Sequence, residues 1–106
     1  MVLLMCVAFA LPVGGATLLT DKPDYVPGEH VIFSGAGWQP GETIEIDTYE
    51  TSVDPFFWEG TVYATARLDG TFSNSDFLVQ ESFLGQGFIA YATGRSSLLT
   101  ASAIFT

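Results

Sequence analysis

The strongest constraint in this chain is a piece of punctuation used twice. Residues 21–46 read DKPDYVPGEHVIFSGAGWQPGETIEI. Pro27-Gly28-Glu29 and Pro40-Gly41-Glu42 each precede an alternating apolar run, Val31/Phe33 and then Ile44/Ile46. Proline presets φ near about −65° at the first central position of a turn, and glycine accepts the positive φ that a type II turn needs at the second. A chain that turns this way and then alternates is entering a β-strand. The glutamate after each turn is expected to open its strand with its charge in solvent. Gly35 and Gly37 are expected to leave room for Trp38 to turn into a core.

The same grammar runs to the end of the chain. No stretch after residue 16 sustains a 3.6-residue apolar period with caps, whereas short alternating runs are separated by Gly, Pro, Asn, Asp and Ser. Strands are expected at 17–21, 30–36, 43–49, 60–68, 71–79, 86–93 and 98–106. Their inward residues are expected to include Val31, Phe33, Ile44 and Ile46. Val62, Ala64, Ala66 and Leu68 follow, then Phe88, Ala90 and Ala92, and last Leu99, Ala101, Ala103 and Phe105. Asp69-Gly70 is a hairpin signal between the fourth and fifth strands. Phe72 and Phe77 sit at odd spacing, which predicts a bulge near Asn74 to Asp76. The expected fold is all-β, a seven-stranded antiparallel immunoglobulin-like β-sandwich over residues 17–106.

At 106 residues the chain holds one domain. Its formal net charge is −9, with twelve carboxylates set against Lys22, Arg67 and Arg95. A phosphate backbone is repelled by such a surface, so nucleic acid is not an expected partner. No basic patch is present to grip an anionic lipid surface. Residues 1–16, MVLLMCVAFALPVGGA, differ from the rest. The apolar run 2–11 is too short for a transmembrane span, which takes about 20 residues. Pro12 and Gly14-Gly15-Ala16 resemble the end of a secretory signal peptide, although no Lys or Arg precedes the run. The alternative is a retained apolar N-terminal strand that packs on its own domain or adds to a neighbouring subunit. Cys6, the sole cysteine, lies inside this segment, so no intrachain disulfide forms.

TLLTDKPDYVPGEHVIFSGAGWQPGETIEI resembles the opening of the bacterial Ig-like repeats found in secreted and cell-surface proteins. Those repeats commonly begin with Thr-Asp-Lys-x-x-Tyr-x-Pro-Gly-Glu and continue to a Gly-x-Gly-aromatic-x-Pro-Gly-Glu turn. The first half also resembles an alpha-macroglobulin-type sandwich domain. Asp69-Gly70-Thr71-Phe72, Leu84-Gly85-Gln86 and Thr93-Gly94 extend the likeness over residues 17–106. The resemblance implies an extracellular or cell-surface module with no catalytic residues. The segment YETSVDPFFWEG departs from the pattern, and so does the occurrence of a single unit in place of an array.

Few residues offer chemistry. His30 is the only histidine and precedes inward Val31, so it is read as a surface strand residue. No serine sits in a nucleophile-elbow pattern. Two acidic groups stand out: Asp21, Asp24 and Glu29, and then Asp47, Glu50, Asp54 and Glu59 around the aromatic segment. Calcium takes six to eight oxygens from such loops, but no EF-hand spacing is present, so no cofactor is expected beyond weak calcium recruitment. The most pointed feature is Phe56-Phe57-Trp58, three consecutive aromatics read as a loop. One or two of them are expected to cap the core, leaving another for a partner, a protein or a glycan. On the strands, Ile32, Tyr63, Ile89, Tyr91 and Ile104 fall opposite the inward residues, at positions that in the resembling repeats are typically Thr. Together they suggest a contact buried against other chains.

Two functions follow from different classes. The first is a non-catalytic extracellular structural or adhesive module that self-assembles into a fibre or surface layer. Its partners would be other copies of itself or a cell-surface protein. The second is a monomeric binding module that uses Phe56, Phe57 and Trp58 to hold a glycan or a protein.

Overall fold

The structure is a computed structural model that describes residues 15–106. The leader or strand expected at residues 1–16 lies outside the described residues except for its last two positions, and Cys6 lies outside them as well. Seven strands form among the described residues: β1 (Thr17–Thr20), β2 (His30–Ala36), β3 (Thr43–Glu50), β4 (Phe57–Thr65), β5 (Phe72–Leu78), β6 (Phe88–Gly94) and β7 (Thr100–Phe105). They build two sheets, one ordered β1-β2-β5 and the other β4-β3-β6-β7. All the pairings within them are antiparallel. A single 3₁₀ turn, Glu81–Phe83, links β5 to β6. No helix among the described residues is long and apolar enough to cross a membrane.

Alternation puts one side of every strand into a shared core. Val31 and Phe33 of β2 face Ile44 and Ile46 of β3 and Ala90 and Ala92 of β6, all fully buried. Bulk comes from aromatic rings. Phe105 lies 5.6 Å from Tyr25, 6.2 Å from Phe33, 6.4 Å from Phe77 and 5.4 Å from Phe88, centroid to centroid. Phe83 from the 3₁₀ turn closes the group against Phe77 and Phe88. Trp38 is buried and donates its indole N–H to the Thr17 carbonyl at 3.0 Å. Gly35 makes that possible, because a Cβ there would lie 2.7 Å from the indole nitrogen and inside the Phe72 ring.

The repeated turn is more than local punctuation. Gly28 and Gly41 hold φ of 94° and 80°, as type II turns require. Glu29 and Glu42 each donate their N–H to the carbonyl three residues back, Val26 and Gln39, at 3.2 Å. Each carboxylate then accepts the N–H of that same residue, at 2.9 Å from Val26 and 2.7 Å from Gln39. Each turn also pairs with one residue that follows a strand. Gly28 N–H and Glu29 C=O bond Val79, and Gly41 N–H and Glu42 C=O bond Ala66. One four-residue design is thus used twice, down to the kind of tertiary partner it takes.

Four expectations change. Glu42 is buried, not in solvent. Its carboxylate crosses to the β6–β7 connection and accepts Ser96 N–H at 3.1 Å, Ser97 N–H at 3.0 Å and Ser97 Oγ–H at 2.9 Å. Asp69-Gly70 does make a tight turn, with Gly70 N–H on the Arg67 carbonyl, but the strands it joins enter different sheets. Leu68 sits in that turn and is fully exposed, since β4 ends at Thr65. Leu99 precedes β7 and is also exposed. The bulge expected near Asn74 to Asp76 is present, for Val31 faces Phe77 while Phe33 faces Asn74. It turns Asn74 inward, where its amide donates to the Tyr63 carbonyl at 2.9 Å and ties β5 to β4 across the two sheets.

Two predictions follow from these contacts. Burial alone would push the Glu42 carboxyl up, but its donors, led by Ser97, outweigh that and hold it below the ordinary glutamate value of 4.5. A carboxylate depressed by folding stabilises above its unfolded pKa and loses that stabilisation as pH falls through the folded one. Glu42→Ala leaves buried donors unpaired and should lower the unfolding free energy by about 3 kcal/mol at pH 7, with the deficit shrinking below pH 4.5 in urea melts. Thr48 is fully buried, and its hydroxyl has no partner among the described residues. Thr48→Val keeps the shape and removes that group, so it should stabilise by about 1 kcal/mol; a loss of that size would show that the hydroxyl is paired.

Candidate functional site

With the core facing inward, the opposite side of the four-stranded sheet points away from the second sheet. Its register stacks three rows. Trp58, Tyr49, Ile89 and Ile104 lie side by side from β4 to β7. Thr61, Asp47, Tyr91 and Ser102 form the next row, and Tyr63, Glu45, Thr93 and Thr100 the third. One end of the face is therefore apolar and aromatic, and the middle is acidic.

The segment between β3 and β4 folds over this face. Thr51 N–H bonds the Gly87 carbonyl at 2.8 Å and Gly87 N–H bonds Ser52 Oγ at 3.0 Å, which pins the start of the segment to the chain entering β6. Asp54, Pro55 and Phe56 then lie across from Asp47, Tyr49 and Tyr91, leaving an open cleft of about 590 Å³ between the two walls. Tyr49 and Tyr91 meet edge to face at 5.9 Å. A smaller cleft of about 370 Å³, at the end of the sandwich near Phe88 and Ile104, has Asp24 as its one acid.

Phe57 and Trp58 belong to β4, not to a loop, and none of the three consecutive aromatics caps the core. Phe56, Phe57 and Trp58 are 50%, 60% and 54% exposed. Phe77, Phe83 and Phe88 supply the core aromatics instead. A bulge explains Trp58. Thr48 faces Gly60 but Tyr49 faces Trp58, so Glu59 is an extra residue on β4. Without it, Trp58 would share the inward side with Gly60 and Val62; with it, Trp58 emerges beside Tyr49. There its indole donates to Thr61 Oγ at 3.0 Å, and the Thr61 hydroxyl donates to Asp47 at 2.5 Å.

The five outward apolar residues do not form one set. Ile32 lies on β2, in the other sheet, a sandwich thickness away from the rest. Tyr63 is at the far end of the face, under the Arg95 guanidinium, which stands 5.2 Å from its ring and 2.9 Å from Glu45. Ile89 and Ile104 are direct cross-strand neighbours, with Ile104 75% exposed. Tyr91 alone of the five enters the cleft, joined there by Phe56. Asp47 and Asp54, read from the sequence as part of an acidic group around the aromatic segment, both line the cleft, and Tyr49, which the sequence reading does not single out, joins them by sharing the outward side of β3 with Asp47.

The acids of the first group are separately engaged. Asp21 accepts the Tyr25 hydroxyl and Ile32 N–H, Glu29 pairs with Lys22, and Asp24 accepts the Thr106 hydroxyl. No three His, Cys, Asp or Glu side chains among the described residues converge to hold a metal ion. His30 is exposed on β2. At the cleft, loss of water pushes the Asp47 carboxyl up, the Thr61 hydroxyl pulls it down, and neighbouring Glu45 pushes it up again, for a net rise. Glu59 is raised by burial and by Glu50 beside it.

No protein-family model and no curated protein sequence matches the chain. Among solved structures it is similar to macromomycin, with a TM-score of 0.60 at 12% identity over 87% of this chain and 98% of that one. The two share a β-sandwich fold. Spo0M, a sporulation control protein from Bacillus subtilis, is also similar, with a TM-score of 0.48 at 15% identity over 87% of this chain and 48% of that one.

The two tryptophans should report this geometry. Trp38 is 3% exposed and Trp58 54%. Acrylamide should quench the Trp58 part of the emission, and Trp58→Phe should leave a blue-shifted, quench-resistant signal. Undiminished quenching in that variant would mean that Trp38 is not buried.

Proposed function

We propose that the chain is a non-catalytic Ig-like module, working outside the cell or at its surface, that binds a partner through the outer face of the four-stranded sheet. The observation that carries this reading is the cleft between Tyr49 and Tyr91 on one side and Pro55 and Phe56 on the other. Its volume falls in the range of small-ligand sites, about 300–1,000 Å³. Its walls combine aromatic surface with a few carboxylates, a composition that fixes orientation as well as supplying contact area. The twofold Pro-Gly-Glu design supports the Ig-like part of the reading. The lack of catalysis is supported by the position of the only histidine, exposed on the other sheet.

Self-association is a second reading, favoured by the adjacent Ile89 and Ile104 and by Trp58 and Tyr49 in the same row. Such a face could meet another copy, and Ile32 on the opposite sheet gives a second apolar spot for a head-to-tail contact that does not close.

Backbone amide NMR with a small-fragment library separates the readings. Binding at the cleft should cluster shift changes on Asp47, Tyr49, Phe56 and Tyr91, and Tyr91→Ala should weaken those hits about tenfold. Hits scattered over the surface would sink the first reading. For the second, light scattering should show mass rising with concentration and Ile104→Glu should suppress the rise; a monomer at every concentration would end it.

A further inference from the structure

From the charge around the cleft we infer that its occupant is a small organic cation, an ammonium or quaternary ammonium group carried on an apolar body. This rests on the reading of the cleft as the binding site and names the chemistry it selects. Three aromatic residues line the space, Tyr49, Tyr91 and Phe56, and an aromatic ring carries a negative π face that attracts cations. Asp47 and Asp54 line it as well. Glu45 stands next to Asp47 on the same side of β3, and Glu50 and Glu59 sit at the adjoining end of β3 and β4.

The positive charges of the chain are spent elsewhere. Arg95 is held by Glu45 and lies over Tyr63 at the far end of the face. Lys22 pairs with Glu29 near the β1–β2 connection, and Arg67 donates to Thr71 in the β4–β5 turn. Among the described residues the cleft therefore has aromatic rings, two acids and no base of its own.

Charge decides among occupants. An anion meets like charge at every wall. A neutral sugar gains stacking on the rings but covers Asp47, whose carboxyl has already lost part of its water, and offers no opposite charge in return. A cation gains from the rings and from Asp47 together, the arrangement that recognises ammonium groups. Phe56 and Pro55 supply the apolar wall for its body.

The pH dependence has a definite sign. The groups facing Asp47 are Glu45 on its own strand, Thr61 on β4, Tyr91 on β6 and Asp54 from the overlying segment, with Glu59 and Glu50 at the edge and Arg95 acting through Glu45. Asp47 titrates above the ordinary aspartate range, and a cation favours its ionised form. Affinity should therefore rise with pH through that upper range, and Asp47→Asn should flatten the rise.

The test uses four probes followed by amide NMR and calorimetry: benzyltrimethylammonium, benzyl alcohol, benzenesulfonate and maltotriose. Benzyltrimethylammonium should shift Asp47, Tyr49 and Tyr91 and weaken as salt is added. Benzyl alcohol should bind at least about tenfold more weakly, and benzenesulfonate should not bind. Asp47→Asn should cost about tenfold in affinity while leaving the melting temperature unchanged or raised, since it removes a desolvated charge; Asp54→Asn, on an exposed segment, repeats the test at lower structural risk. Equal binding of the alcohol and the ammonium, or maltotriose bound at these residues with Asp47→Asn unaffected, overturns the cation while the cleft stands as a binding site. Probes that leave the cleft residues unshifted overturn both.

Discussion

The two sheets are held together by one ring more than by any other. Phe105, the last strand residue, packs on Phe88 within its own sheet, on Phe33 and Phe77 of the other sheet, and on Tyr25 from the β1–β2 connection. An aromatic side chain buries roughly 150–250 Å² and gains further from edge-to-face contact, so a ring with four ring neighbours concentrates much of the interlayer adhesion at one point. The same loop is fastened to the strand end twice over: Tyr25 donates its N–H to the Thr106 carbonyl at 2.9 Å, and Thr106 donates its N–H to the Pro23 carbonyl at 2.9 Å. The C-terminal strand thereby closes the sandwich at one end, while the Glu42 carboxylate closes the other by joining the β2–β3 turn to the β6–β7 connection.

This closure is what frees the outer face of the larger sheet. Phe77, Phe83, Phe88 and Phe105 fill the core beneath it, and the aromatics at the start of β4 stand outside. The bulge at Glu59 makes that outcome consistent with strand pairing: one extra residue changes the parity of β4, and Trp58 joins Tyr49 while Val62 still faces the core. The bulge in β5 does the converse, turning Asn74 inward to bridge the sheets. Bulges here set which side chains are spent on packing and which stand on the outer face.

Much of this was legible in the residues. Strict alternation gave the strand positions, and the odd spacing of Phe72 and Phe77 gave the β5 bulge. What alternation cannot show is long-range. Glu42 has the same local geometry as Glu29, and its burial follows from Ser96 and Ser97 arriving from half a chain away. Asp69-Gly70 encodes a tight turn but not whether the flanking strands stay in one sheet, and Leu68 loses its inward place to that turn. Ile32 has the outward parity of Tyr91, yet parity does not say to which sheet a strand belongs. The cleft itself was hidden for a related reason. Alternation along β3 puts Tyr49 on the same side as Asp47, but the wall opposite them exists only because residues 51–56 fold back onto the sheet.

The edges of the sheets bear on how this face can be used. β4 and β7 are the outer strands of the larger sheet, where unpaired backbone groups invite another strand. Both are partly closed. On β4 the Tyr63 carbonyl is taken by Asn74, and the bulge at Glu59 interrupts the regular ladder. Beside the end of β7, residues 23–25 occupy the backbone groups of Thr106. Addition of a strand from another chain would have to displace these contacts, whereas among the described residues Tyr49, Tyr91, Phe56 and Asp47 line an open cleft. Binding through side chains on the face would thus cost less than binding through backbone at the edge, and the acidic, aromatic character of that face would set the choice of partner.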